Sequence, residues 1–406
     1  MAAPPDVPEQ NEIDTPLPRT VKVLGAVSFA QDAGSEMMYP FLPTFITGVL
    51  GAPVVAVGVA EGLADATAAG MKLVAGRLAA SGRRRRWIAA GYGLATVGKM
   101  IVSLAFVWPV VLLGRVVDRF GKGIRGVPRD ALIADAVPAQ ARGRAFGFHR
   151  SLDTLGAVIG PLVGLALYRL VGQRIRPVLL LAVIPAMVSV ALVAMVRERS
   201  MHTVAVVTVA SPTSSRPRLP AQFWHVMLPV GAFALVNSTD ALLLLRAQAL
   251  GFGVTEIVLV YVAYNIVYAG LAYPAGKLAD RVLPRFVFAS GLAIFAVTYL
   301  GLGQTSSATA AWILLPLYGA YAALTDGVSR AWIANVVAEG QRTWALGVHG
   351  ATTGVAVLIA GLWSGLAWHG TGTVPLTVSG TVALAVAVWL VTAGRGGQPK
   401  PADPAL

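Results

Sequence analysis

Stretches of about 20 mostly apolar residues, the length that crosses the hydrocarbon core of a bilayer as a helix, recur along almost the whole chain. They read as spans 22–47, 54–79, 87–107, 109–134, 145–169 and 177–196. After a polar interval come 223–248, 255–279, 286–304, 309–334, 344–368 and 374–393. A span in lipid must satisfy its own backbone polar groups, so these segments are helices. The expected fold class is an all-α membrane protein of twelve transmembrane helices. Composition agrees: 56% of residues are hydrophobic and 13% charged, about half the charged fraction of a soluble domain.

Loop charge gives an expected orientation. Arg83 to Arg86 follow helix 2, Arg142 and Arg144 follow helix 4, Arg197, Arg199, Arg216 and Arg218 lie in the central interval, and Arg281 and Arg285 follow helix 8. The loops near Gly51, Trp108, Gly251, Ser307 and Thr371 carry no Lys or Arg, and only Arg174 and Arg176 break the alternation. The positive-inside rule then puts both termini in the cytoplasm of a cell whose inner (plasma) membrane holds the chain. The net charge of +13 reads as this loop bias, and nucleic acid is not an expected partner. The organisation expected is a disordered tail (1–21), a six-helix bundle (22–196), a cytoplasmic linker (197–222), a second six-helix bundle (223–393) and a tail (394–406).

The two bundles resemble each other at an offset of 200 residues. Leu50-Gly51 matches Leu250-Gly251. Gly76, Leu78 and Ala79 match Gly276, Leu278 and Ala279. Arg142, Ala145, Gly147 and His149 match Arg342, Ala345, Gly347 and His349. The Arg and His matches carry the weight in a chain so rich in Ala and Gly. Two halves with the same orientation form parallel pseudo-repeats, which place a binding site near the midplane between them.

Ionisable side chains inside spans cost about 2.5–3.5 kcal/mol even on lenient scales and mark functional positions by default. Helix 1 carries Asp32 and Glu36, four residues apart and hence on one face. Helix 2 carries Glu61 and Asp65 at the same spacing, then Lys72. Helix 4 carries Arg115, Asp118, Arg119, Lys122, Arg125, Arg129 and Asp130. Asp153, Asp240, Asp326 and Arg330 follow on helices 5, 7 and 10. Near helix ends, as at Lys72, Arg129, Asp135 and Arg142, ordinary ion pairing explains the charge. Asp32 and Glu36 lie too deep to reach the interface. Burial favours a neutral carboxyl and a nearby arginine favours a charged one, so these two are candidates to take up and release a proton. Arg115, Asp118 and Arg119 are candidate members of that site, the arginines as partners of Asp32 or Glu36. A solute cavity is expected among Glu61, Asp65, Asp153, Asn237, Asp240, Tyr264, Asn265, Tyr268, Tyr321, Asp326 and Arg330, with Tyr261 and Tyr318 nearby. Gly156, Gly160 and Gly164 recur every four residues beside Pro161 and suit close helix packing. The chain has no cysteine and five scattered histidines, so no metal-ligand spacing and no cofactor motif is legible.

Gly147, Gly156, Gly160, Pro161 and Gly164 match the helix 5 antiporter motif G-x8-G-x3-G-P-x2-G-G, with Leu165 in place of the last glycine. Gly114-Arg115 resembles the helix 4 motif, and Gly276, Leu278, Ala279, Asp280 and Arg281 resemble the loop motif G-x-L-A-D-R. The first copy of that loop motif has Ala80 where the aspartate belongs. From about residue 22 to 393 the chain thus resembles the major facilitator superfamily. Asp32 to Met37 and Gly121 to Leu132 are more particular strings within it, and the second, followed by Ser151 to Gly156, is similar to its nickel-resistance exporters and to many unassigned bacterial relatives, although no histidine-rich tail is present.

The resemblance implies the major facilitator fold and a proton-coupled antiporter that exports a small solute by alternating access. Arg115 would take part in coupling, the helix 5 glycines in packing, and Arg83, Asp135, Asp280 and Arg281 in a cytoplasmic gate. The implied partners are lipid, protons and a small-molecule or ion substrate, bound by a monomer. An organic molecule or drug ranks first, a divalent cation second; an organic anion would suit the arginines of helix 4. A membrane receptor or scaffold is the rival from another class, and it would not need mid-membrane carboxylates. An enzyme is not expected: the sequence contains no H-E-x-x-H and no Walker A loop.

Overall fold

The structure, a computed structural model, describes residues 16–80, 83–137, 142–196, 219–338 and 341–392. The expected tails and most of the expected linker lie outside these residues. The side chains of Gly147, Asp280 and Arg281 lie outside them too, as do those of Lys72, Ala80 and Arg142.

The described residues are helical almost throughout. The spans are α1 (Arg19–Met38), α2 (Val54–Ala80), α3 (Arg84–Ser103), α4 (Trp108–Asp135), α5 (Arg142–Leu170) and α6 (Ile175–Leu181 and Val183–Val193). The second half follows with α7 (Ala221–Ala234 and Asp240–Ala249), α8 (Val254–Arg281), α9 (Pro284–Gln304), α10 (Ala308–Val336), α11 (Arg342–Leu366) and α12 (Thr373–Thr392). Eight of them are long and apolar enough to cross a bilayer by that measure alone; α1, α3, α4 and α7 fall short of it. Charges crowd α1 and α4, and α7 is broken.

Three spans that read as continuous are interrupted. Beyond Met38, α1 passes through a 3₁₀ turn (Tyr39–Phe41), one α turn (Leu42–Thr44) and a π turn (Phe45–Val49). Pro40 and Pro43 lack the N–H that would continue the ladder. In α6 the break at Ala182 precedes Pro185, which leaves the Leu181 carbonyl without its α-helical donor. In α7 the residues between Ala234 and Asp240 include Asn237, Ser238 and Thr239, whose side chains compete for backbone partners. The Thr239 hydroxyl accepts from the Ala241 N–H at 3.3 Å and caps the second segment.

The packing repeats between halves. In the first half α2 and α3 pack on α4 and α3 on α6; in the second, α8 and α9 pack on α10 and α9 on α12. The halves meet where α2 lies on α11 and α5 on α8, the same pairing seen twice. Gly51 and Gly251, partners in the sequence repeat, both have positive φ.

One end of the bundle is shut. At the end away from the start of α1, here the distal end, Phe41, Phe45, Ile46 and Val57 form one buried cluster with Leu242, Leu245 and Val258 of the other half. Arg246 ties the loops of the second half there, donating to the carbonyls of Leu302 (2.8 Å), Thr305 (2.7 Å) and Thr371 (3.0 Å). Along the α2–α11 contact, a Cβ on Gly361 would fall 2.6 Å from the Gly58 carbonyl oxygen, and one on Gly354 would fall 2.8 Å from Ala69 Cβ. Nearer the opposite, terminal end, Gly70 and Gly350 have open space beside them. The halves therefore splay toward the terminal end, where Asp65, Lys122, Asp326 and Arg330 are exposed.

The glycine stripe of α5 lies against α1. A Cβ on Gly160 would sit 2.5 Å from the Ala33 carbonyl oxygen. Gly160→Val is expected to push these helices apart and to cost about 1–3 kcal/mol, read as a lowered Tm of the detergent-purified protein.

Candidate functional site

The charges of α4 are gathered inward because that helix is wedged between α2 and α3. Arg115 donates through Nε and Nη2 to both oxygens of Glu61 on α2, at 2.7 and 2.5 Å. Its Nη1 is 3.6 Å from Asp118, one turn on. Asp118 in turn accepts from Lys99 of α3 at 2.8 Å. The side chains of Glu61 and Arg115 are only 3% and 7% exposed, so the fork-to-fork geometry offsets a large desolvation cost. Arg119 pairs at 3.5 Å with Asp65, whose side chain is half exposed.

This overturns the expected pairing of Arg115 and Arg119 with Asp32 or Glu36. Helix α1 packs mainly on α5 and α6, and the carboxylates of α2 take the arginines instead. Glu36 has a different partner: it accepts a hydrogen bond of 2.6 Å from the Tyr261 hydroxyl of α8, in the other half. Asp32 forms no ion pair among the described residues; the charges acting on it belong to Asp153, Lys122, Arg125 and Arg129. Tyr39 joins the two systems, with its ring 6.0 Å from the Arg115 guanidinium and 5.4 Å from the Tyr261 ring.

The second half answers with aromatic rings. Asp240, first residue of the second α7 segment, accepts from Tyr318 at 2.8 Å and from Tyr264 at 3.3 Å. Tyr264 stacks on Tyr318 and Tyr268, with centroids 5.5 and 6.4 Å apart. Tyr268 donates to Asp326 at 3.3 Å near the open end, and Arg330 is exposed one turn further on. Tyr321 is buried among Phe233, Phe295 and Tyr318, so it belongs to the core and not to a cavity wall. Asn265 donates to the Tyr261 carbonyl of its own helix at 2.9 Å. Asn237 sits in the α7 break, its Oδ1 buried without a partner.

Asp153 lies on α5, 3.6 Å from His149 and 4.0 Å from Arg150. At the terminal end Arg84, not Arg83, pairs with Asp135; Arg83 stands exposed just before α3. Arg129 pairs with Asp130 at 2.9 Å and donates to Ser28. Among the described residues no three His, Asp or Glu side chains converge to hold a metal ion. Lys99 and Tyr39 complete the charge and ring systems without having been singled out by the sequence. Lys99 carried a readable signal, an ionisable residue within an apolar span.

Two parallel six-helix halves, shut together at one end and parted at the other around buried carboxylates, define a membrane transporter. The chain belongs to the Major Facilitator Superfamily, whose sequence model matches residues 24–245 and again 227–405. An uncharacterized MFS-type transporter of Methanocaldococcus jannaschii is 28% identical over 374 residues, 89% of this chain and 91% of that one. The multidrug resistance protein MdtH of Cronobacter sakazakii is 30% identical over 131 residues, 32% of this chain and 33% of its own. Among solved structures, the nucleoside transporter NupG has a TM-score of 0.75 at 12% identity, covering 94% of this chain and 100% of NupG. A bacterial homolog of the human lysosomal transporter Spinster, inward-facing and unoccupied, has a TM-score of 0.70 at 17% identity, over 92% and 94% of the two chains. Family and neighbours are transporters, not enzymes.

Proposed function

We propose that the protein is a proton-coupled antiporter that exports a small organic solute by alternating access. The observation that carries this reading is the 2.6 Å bond from Tyr261 to Glu36, a titratable link between the two halves. A hydrogen bond to an ionised acceptor is roughly twice as strong as one between neutral groups. Protonation of Glu36 therefore weakens the tie, and loss of the proton restores it. Asp32, one turn toward the open end on the same helix, is the second proton carrier, in the field of Lys122 and the α4 arginines.

The arginine-rich loops support a cytoplasmic assignment for the terminal end, which makes the splayed state inward-facing. Solute enters there, the halves 22–196 and 223–393 rock about the midplane, and external protons drive the return. In the opposite state the ends near Arg83, Asp135, Asp280 and Arg281 approach as the cytoplasmic gate. Each chain holds a complete path, consistent with a monomer. The tyrosine-bearing wall suits an organic solute, and the partial likeness to a multidrug resistance protein agrees.

Inverted membrane vesicles with an imposed pH gradient test the reading. Glu36→Gln is expected to abolish gradient-driven uptake while leaving solute exchange at equal pH. Asp32→Asn is expected to shift the pH profile of uptake. Uptake unchanged in both variants removes these carboxylates from coupling. Proton release driven by nickel alone would move the chain to the metal-exporting branch it resembles.

A further inference from the structure

The observations on the second half go further and speak to the class of solute. Asp240 is the first residue of its helical segment, where the dipole favours a carboxylate in its charged form. Its oxygens receive two phenolic hydroxyls, and none of the ion pairs among the described residues includes it. The charges acting most strongly on it are those of Asp326 and Asp65, both negative. Of the buried cations of the first half, Arg115 is matched by Glu61 and Lys99 by Asp118, while Arg125 lies on α4 against the Tyr92 ring at 4.4 Å. Around Asp240 stand the rings of Tyr261, Tyr264 and Tyr318, over an apolar floor that includes Leu243 and Leu315.

Asp240 is half-buried, and a carboxylate partly withdrawn from water without a counter-charge carries a cost. A ligand cation supplies the missing charge, and the negative faces of the tyrosine rings attract the same ion. An organic anion would be repelled here. A divalent metal ion would find one carboxylate where oxygen-ligated sites offer several. We infer that the tyrosine cage around Asp240 is the solute site and that it takes an organic cation of the ammonium type. This rests on the reading of the chain as an exporter of organic solutes. In the present state the space between the side chains is about 20 Å³, room for a water molecule. Tyr261, which lines this space, is also the residue held across the interface by Glu36.

Equilibrium dialysis of the detergent-purified full chain tests the inference with tetraethylammonium, benzyltrimethylammonium, benzenesulfonate and nickel ion. The ammonium probes are expected to bind saturably and more tightly than the other two. Asp240→Asn is expected to weaken ammonium binding by more than about thirtyfold. Tyr264→Leu is expected to weaken it about tenfold, whereas Tyr264→Phe, which keeps the ring, stays close to wild type. Asp240→Glu keeps the charge and decides the matter should Asp240→Asn not fold. Tighter binding of benzenesulfonate or nickel, ammonium binding indifferent to Asp240, or no saturable ammonium binding overturns the inference. The two readings fail separately. Ammonium binding without gradient-driven flux would defeat the antiporter and keep the cage. Gradient-driven flux of a neutral or anionic solute would do the reverse.

Discussion

Arg115→Met is expected to destabilise the protein by about 3–5 kcal/mol, measured by chemical denaturation in detergent micelles. The guanidinium is inside the bundle and makes two short bonds to Glu61. Removing it leaves a carboxylate buried with no partner and no water. Asp118 suffers less, because Lys99 still donates to it. The size of the effect has a specific origin, which a second variant exposes. If the loss comes from the orphaned charge, Glu61→Leu combined with Arg115→Met returns most of the stability, since a well-packed apolar pair replaces a buried ion pair at little net cost. If the double variant is as unstable as the single, the bond itself and not the desolvated charge holds α2 to α4.

Gly361→Leu is expected to fold but to lose distal closure. Gly361 and Gly58 face each other across the two halves with no room for a Cβ. The clash exists only while that end is shut, so its cost falls on one state. A penalty of about 1–3 kcal/mol in a single state shifts the balance between states by roughly 5- to 150-fold. The chain contains no cysteine, which makes the readout clean. A cysteine introduced at Thr44 or Gln248, which touch across the shut end at 3.3 Å, should react faster with a thiol reagent when Gly361→Leu is added. Equal reaction rates would show that α2 and α11 do not set the closure.

The span pattern and the internal repeat were legible in the sequence because lipid imposes them: a helix must be long and apolar, and a duplicated half keeps the duplicate's turns. Leu50-Gly51 and Leu250-Gly251 are such a pair. The breaks in α1, α6 and α7 were not legible in the same way. Average hydropathy over a span is insensitive to a single missing N–H at Pro40 or Pro185, or to Asn237, Ser238 and Thr239 offering rival partners. The candidate carboxylates were readable as expensive, but their partners were not. Spacing places Glu61 and Asp65 on one face of α2 and says nothing about which helix faces them. That α4 is wedged between α2 and α3, while α1 lies on α5 and α6, is a tertiary fact. The bond from Glu36 to Tyr261 joins residues 225 positions apart, in different halves, beyond the reach of any local rule.

The halves are cemented by different materials. Ion pairs such as Arg115 with Glu61 have one good geometry and lose much when it is disturbed, so the first half behaves as a stiff lever. Stacked rings such as Tyr264 on Tyr318 tolerate sliding, because offset arrangements over a range of separations are nearly equivalent. If the tyrosine cage is the solute site, adjustment to differently shaped cargo falls to α8 and α10.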